Sequence, residues 1–346
     1  MFKRILQTNS KLYLGQQYSL KALNSFKFLN GSLALKVNKN KFSTNTNTSL
    51  EKYNDTLSFR QFSFIPEIYT VLDRLKIVAP TSIQSVAIPR ILDKKHTFFT
   101  AQTGTGKSFC YILPILHDLK LTEQIQKERL TLQKRPRVLI VVPTRELAVQ
   151  VEEVIKMFIY EVPLKVEAFY VGRKYNSEVK CSEEGIDILI TTPERFQNHW
   201  EKGNVYSTKL SHLVIDELDT LLDGGNEEFI KTIMESFLKP TKDNITKQVI
   251  LCSATTTKHI NTFIKGNFPD DQNFVQIIDR STNVNLSNIK HEFIHVTDYD
   301  KYPTLLKILS EYRKYLTLNF SLILFCNSIN CARKTELFLS ENGIYY

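Results

Sequence analysis

Beyond residue 50 the chain alternates short apolar runs with longer segments whose apolar residues recur at helical spacing. Six runs, at residues 97–100, 138–142, 186–191, 213–215, 249–252 and 274–277, are nearly continuous in Val, Ile, Leu, Phe, Cys and Thr. A strand with one wet face alternates apolar and polar residues, whereas a strand covered on both faces does not. The six runs therefore predict buried strands. Residues 149–158 carry apolar side chains at 151, 154, 155 and 158, the spacing of one helix face. Strands and helices in alternation predict an α/β fold, a parallel sheet with helices on both faces.

The pattern weakens in two places. Residues 120–137 are charged and predict a helix end followed by an exposed loop. Residues 279–288 are polar without a period, which suits a linker centred on 281–288. Beyond it a second, shorter series predicts a strand at 290–296, a helix at 302–315, a strand at 322–326 and a helix at 328–342. The expected organisation is a leader over 1–50, a main domain over 51–280, the linker, and a partial second domain over 289–346. Two strand–helix units are few for a buried sheet, so residues 289–346 are expected to pack incompletely by themselves.

Charge changes the picture of the leader and not of the body. The net charge is +9, but residues 1–50 hold eight of the 45 Lys and Arg and no Asp or Glu. The remainder has 37 basic against 36 acidic residues. A high isoelectric point is thus poor evidence that the body binds nucleic acid. The leader is basic, acid-free, rich in Ser and Asn, and interleaved with Leu, Phe and Tyr, the composition of a mitochondrial presequence. The expected location is the mitochondrial matrix, with processing near Phe42–Ser43. A basic tail that holds RNA non-specifically is the alternative. No apolar run of 18 residues occurs, so no membrane insertion by a helix is expected. The five cysteines are an odd number without a CxxC spacing, which argues against a zinc site.

The chemistry begins after the first buried run, at Ala101-Gln102-Thr103-Gly104-Thr105-Gly106-Lys107-Ser108. A glycine-rich turn between a strand and a helix points backbone N–H groups and the helix's positive end at phosphate oxygens. Lys107 would meet the outer phosphates of ATP, and Ser108 would ligate Mg2+. A metal–nucleotide site also needs carboxylates. Asp216-Glu217-Leu218-Asp219 follows the run at 213–215, where strand ends face the ligand crevice. Asp216 suits metal binding, and Glu217 suits polarising the attacking water, so Lys107, Asp216 and Glu217 are the candidate catalytic residues.

At these residues the chain resembles DEAD-box RNA helicases of superfamily 2. That family carries alanine as the first P-loop residue and reads Asp-Glu-Ala-Asp where Asp216–Asp219 stands, with Leu218 in place of alanine. Pro80-Thr81-Ser82-Ile83-Gln84 is similar to the end of the family's adenine-reading segment, which implies that the Gln84 amide reads the base. Phe59 and Phe62 are both candidates for an upstream aromatic. Pro143-Thr144-Arg145-Glu146-Leu147-Ala148 and Thr192-Pro193-Glu194-Arg195 are similar to the loops that hold an RNA backbone, and Gly172-Arg173 stands at the usual Gly-Gly. Ser253-Ala254-Thr255 is similar to the motif that couples the two sites through Asp219, Ser253 and Thr255. Residues 322–328 resemble the motif opening the second domain's RNA surface, with Asn327 as the contact.

The resemblance implies two RecA-like domains, of which the second is incomplete in this chain, and use of ATP and Mg2+. It implies an ATPase that remodels RNA through its Pro143, Thr144, Arg145, Gly172, Thr192, Pro193, Arg195 and Asn327 positions, without reading sequence. The leader and the altered acidic motif together look like mitochondrial helicases that assist ribosome assembly, which would make mitochondrial ribosome precursors the partner. The family's later motif, whose arginines reach the γ-phosphate, does not occur in the chain. Reduced hydrolysis is therefore expected, and a non-enzymatic ATP-gated RNA clamp or assembly factor is the alternative.

Overall fold

The computed structural model describes residues 42–44, 58–102, 104–240, 245–268, 273–279, 292–297, 299–313 and 323–344. The chain divides into two compact units. The larger falls within Asn30–Val284, and the described part of the smaller lies within Asn285–Tyr346.

The larger unit is built on eight strands. These are β1 (Phe42–Thr44), β2 (His96–Thr100), β3 (Val138–Val141), β4 (Val166–Phe169), β5 (Ile188–Thr191), β6 (His212–Ile215), β7 (Gln248–Ser253) and β8 (Phe274–Asp279). They lie in the order β1-β8-β2-β7-β6-β3-β5-β4. Strands β2 to β8 are all parallel to one another, while β1 runs antiparallel along β8. Strand β1 falls in the basic leader; the other residues of 1–57 lie outside the described part.

The apolar runs are continuous because successive side chains feed two different cores. Phe99, Ile140, Val214, Ile250 and Cys252 belong to one. Their neighbours Phe98, Leu139, Val141, Leu213, Ile215 and Leu251 belong to the other. The first face is covered by α1 (Pro66–Arg74), α2 (Ser82–Leu92), α3 (Lys107–Gln126) and α4 (Arg145–Lys156), which bury Ile68, Ile88, Tyr111 and Val151 there. Helix α5 (Tyr175–Glu184) follows β4. The second face is covered by α6 (Pro193–Glu201), α7 (Leu218–Asp223), α8 (Glu227–Leu238) and α9 (Lys258–Asn267). Phe196, Leu221, Phe237 and Phe263 are their buried contributions. This is a RecA-like α/β sheet with helices on both sides.

Local differences from the sequence expectation have physical causes. Helix α4 starts four residues earlier than its apolar spacing suggests, because the Thr144 hydroxyl caps it by accepting from the Leu147 N–H. Strand β4 escaped notice because Glu167 interrupts a four-residue run, a pattern that an edge strand tolerates. The charged stretch at 120–137 is a helix end and a largely exposed loop, as expected, but its last residues are buried. Its Arg137 is buried and bridges Glu123 at 2.7 Å and Asp187 at 2.8 Å.

In the smaller unit, α10 (Lys301–Arg313) and α11 (Ile329–Glu341) form, the latter capped by the Ser328 hydroxyl on the Cys331 N–H. The strands expected at 290–296 and 322–326 do not form at residues 292–296 and 323–326; residues 290, 291 and 322 lie outside the described part. An extended segment becomes a strand only beside a hydrogen-bonding partner. Among the described residues of this unit none is supplied, and Phe293 and Phe325 are 95% and 90% exposed.

Candidate functional site

Strand order sorts the candidate residues into two adjoining groups. The carboxyl ends of β2, β7 and β6 are consecutive, and they carry the P-loop, Ser253–Thr255 and Asp216–Asp219. Strands β3, β5 and β4 follow, and they lead into Pro143–Arg145, Thr192–Arg195 and Gly172–Arg173. Level registers such as Thr100 with Ser253 and Val141 with both Ile215 and Thr191 put these loops at one end of the sheet.

In the first group Gly104 and Gly106 take φ of +83° and +80°, which lets the chain curl into the amino end of α3. A Cβ on Gly106 would stand 2.4 Å from Gln84 Nε2, so a side chain there would have to push that amide aside. Ala101 is buried and its N–H donates to the Ser253 carbonyl at 3.2 Å, tying the loop's start to β7. Thr105 Oγ1 donates to the Gln102 carbonyl at 2.7 Å, closing the turn. Thr103 lies outside the described residues. Lys107 Nζ is buried with no hydrogen-bond partner among the described residues. A buried ammonium without an acceptor costs several kcal/mol unless an anion meets it, so a phosphate fits this position.

Asp216 is buried, and both of its oxygens are held. Oδ1 accepts the Glu217 N–H at 2.9 Å and Oδ2 accepts the Tyr111 hydroxyl at 2.9 Å. Burial raises its pKa, while Tyr111 and Lys107 oppose that rise. Burial also raises the pKa of Glu217, and the Asp216 charge adds to the effect. Each carboxylate would be relieved by a cation, which makes the pair with Ser108 a fitting place for Mg2+. Glu217 adopts a left-handed backbone, φ 52° and ψ 51°, at the turn into α7. A non-glycine residue there is strained, a condition common at functional sites.

Asp219 makes the expected link to Ser253–Thr255. Its Oδ2 accepts from Ala254 N at 3.2 Å, Thr255 N at 3.0 Å and Thr255 Oγ1 at 2.9 Å. Ser253 Oγ donates to the Thr255 carbonyl at 2.8 Å. Leu218 is fully buried in the second core, so the larger side chain does not displace its neighbour Asp219.

Gln84, the candidate for reading the base, is held by backbone groups on both sides of its amide. It is buried, its Oε1 accepts from the Thr81 N–H at 2.9 Å, and its Nε2 donates to the Gly106 carbonyl at 3.0 Å. Thr81 Oγ1 adds a 2.9 Å bond to the Thr105 carbonyl. In this arrangement the amide latches α2 to the P-loop. Phe59 and Phe62 are likewise buried, in an edge-packed aromatic group.

In the second group Thr144 and Arg145 are exposed, Arg145 Nε lying 2.8 Å from Glu146. Gly172 adjoins them: a Cβ there would approach Arg145 Nη1 to 3.1 Å. Thr192 and Pro193 begin α6. Arg195 turns inward, with Nε 2.7 Å from Glu178 and Nη2 3.0 Å from the Arg173 carbonyl. Arg173 folds back on Glu167 and the Ala168 carbonyl, both at 2.7 Å. Glu178 is fully buried and also meets His199 Nε2 at 2.8 Å. Neither Glu178 nor Tyr111 was singled out from sequence. Tyr111 had a signal, its spacing of four from Lys107 on one helix face; Glu178 had none. Asn327 is exposed and precedes the cap of α11 in the smaller unit.

A P-loop with paired carboxylates on a RecA-like sheet defines a nucleoside-triphosphate-binding domain. Residues 81–263 match the model of the DEAD/DEAH box helicase family, and the chain belongs to that family. It is 29% identical over 292 residues to DEAD-box ATP-dependent RNA helicase 39 of Arabidopsis thaliana, covering 83% of this chain and 46% of that protein. It is 31% identical to mouse ATP-dependent RNA helicase DDX50, over 72% of this chain and 34% of the relative. ATP-dependent RNA helicase DeaD of Buchnera aphidicola is 34% identical over 59% of this chain and 32% of its own length. The chain thus spans about a third to a half of the curated relatives it matches.

Proposed function

We propose that this chain carries the ATP-binding half of an ATP-dependent RNA helicase or RNA-remodelling ATPase. The observation that carries the reading is the buried Lys107 ammonium, without a hydrogen-bond partner among the described residues, beside a carboxylate loop whose Asp219 is bonded to Thr255. Lys107 and the P-loop N–H groups would hold the phosphates, and Ser108 and Asp216 would hold Mg2+. The bound cation supplies charge neutralisation at phosphate oxygens. Glu217 would orient and polarise the attacking water. Asp219 would pass changes at the carboxylate loop to Ser253–Thr255, one strand away from the P-loop.

The RNA would be a backbone-bound strand on Thr144, Arg145, Gly172, Thr192 and Pro193, since hydroxyls and helix amino ends suit phosphates and carry no sequence information. Arg195 would support that surface from behind; Asn327 is the RNA-contact candidate of the smaller unit, taken by itself. The acid-free leader supports action on mitochondrial RNA in the matrix, with ribosome precursors as the partner. Among the described residues no helix is long and apolar enough to cross a membrane.

The test is binding of a fluorescent ATP analogue with Mg2+ to the wild-type chain and to Lys107→Ala. Binding is expected to weaken by about a hundredfold in the variant, as loss of a charge-assisted phosphate contact implies. Equal affinity would overturn the site. RNA-stimulated phosphate release in the longest natural form separates an enzyme from an ATP-gated clamp. Import of a fluorescent protein fused behind residues 1–50 tests the location.

A further inference from the structure

Tyr111 is fully buried one helical turn beyond Lys107 on α3, so both side chains leave the same face of that helix. Its ring sits in the first core among Ile and Leu side chains, a volume that phenylalanine would fill equally. The hydroxyl is therefore not needed for packing. It donates to Asp216 Oδ2 at 2.9 Å. Asp216 is one of the two side chains proposed to hold the metal, and this phenol lies directly behind it. With Oδ1 fixed by the Glu217 N–H, the Tyr111 bond removes the remaining freedom of the carboxylate to rotate. Each carboxylate oxygen keeps a further lone pair for a metal-bound water.

We propose that Tyr111 is a positioning residue of the metal half of the nucleotide site, its hydroxyl fixing the orientation of the Asp216 carboxylate for Mg2+. Orienting partners behind a ligand set both its direction and its basicity. The proposal rests on the nucleotide reading given above.

The experiment titrates Mg2+ into the chain with a slowly hydrolysed fluorescent ATP analogue, comparing wild type, Tyr111→Phe, Asp216→Asn and the double variant. Binding in EDTA reports the phosphate contacts alone. In Tyr111→Phe the Mg2+ concentration for half-maximal tightening is expected to rise about tenfold, the worth of one hydrogen bond to a charged group, with EDTA binding unchanged. In the Asp216→Asn background the same change is expected to add little, because the two positions act as one unit. Unchanged Mg2+ dependence with intact binding, or equal loss with and without Mg2+, would overturn the positioning role alone. Wild-type chain that binds no nucleotide would overturn it together with the site reading. An undiminished tenfold effect of Tyr111→Phe in the Asp216→Asn background would also overturn the proposal.

Discussion

Leu218 stands where the family carries alanine, and its whole side chain lies in the second core with Leu213, Leu221 and Phe263. Leu218→Ala would restore the family residue and leave a cavity. A loss of about 2–5 kcal/mol is expected from such a truncation, measured by urea unfolding. Nucleotide affinity is expected to stay unchanged, because Asp219 keeps its own bonds to Ala254 and Thr255. A variant as stable as wild type would mean that the neighbours close over the space. The chemistry of Lys107, Asp216 and Asp219 was visible in sequence because it depends on residue type and on position just after a strand. The direction of Gln84 was not. Its amide answers the Gly106 carbonyl 22 residues away, a bond that no local pattern announces.

Helices α5 and α6 are joined by one buried carboxylate. Glu178 of α5 accepts from Arg195 and His199 of α6 and from the Tyr170 N–H before α5. This ties the Gly172 loop to the Thr192 loop, the two surfaces proposed for RNA. Removing one partner of a buried ion pair leaves the other uncompensated, and Glu178→Leu is expected to cost about 3–5 kcal/mol in urea unfolding. RNA affinity should fall with it, while Arg195→Lys, which keeps a cation, should lose less of both. Unaltered stability in Glu178→Leu would show that the guanidinium reaches solvent. Helix existence was legible from apolar spacing, but helix starts depended on caps such as Thr144 and on strand ends. Strand β4 was missed because a short edge strand with one charged residue resembles a loop.

At the scale of the molecule, His212 reports on the packing of the sheet. Burial pushes its pKa down to about 4; the nearby Asp118 works against this, and Lys94 and Arg137 add to it. The contact with Asp118, at 3.4 Å, is therefore one between a carboxylate and a neutral ring at pH 7. The unfolded histidine titrates near 6.5, so below that pH the unfolded chain takes up the proton first. Stability is expected to fall from about pH 6.5 to pH 4, by about 3 kcal/mol in total from this residue. Raised carboxyl pKa values at Asp216 and Glu217 act in the opposite sense, so the measurement is a difference. Urea unfolding at pH 7 and pH 4.5 should show a smaller acid loss in His212→Gln than in wild type. Parallel profiles would place His212 in contact with water.

By itself the sequence determined the α/β class, the strand–glycine–helix phosphate loop, the acidic loop and their order along the chain. These follow from local period, capping and glycine freedom, which act over a few residues. Only the tertiary structure decided which loops became neighbours. The order β8-β2-β7-β6-β3-β5-β4 brought Tyr111 to Asp216 across 105 residues and Asp219 to Thr255 across 36. It also turned Arg195 inward toward Glu178. Neighbours in a parallel sheet are chosen by crossover connections and by the burial of both faces, which are properties of the whole chain and of no single segment.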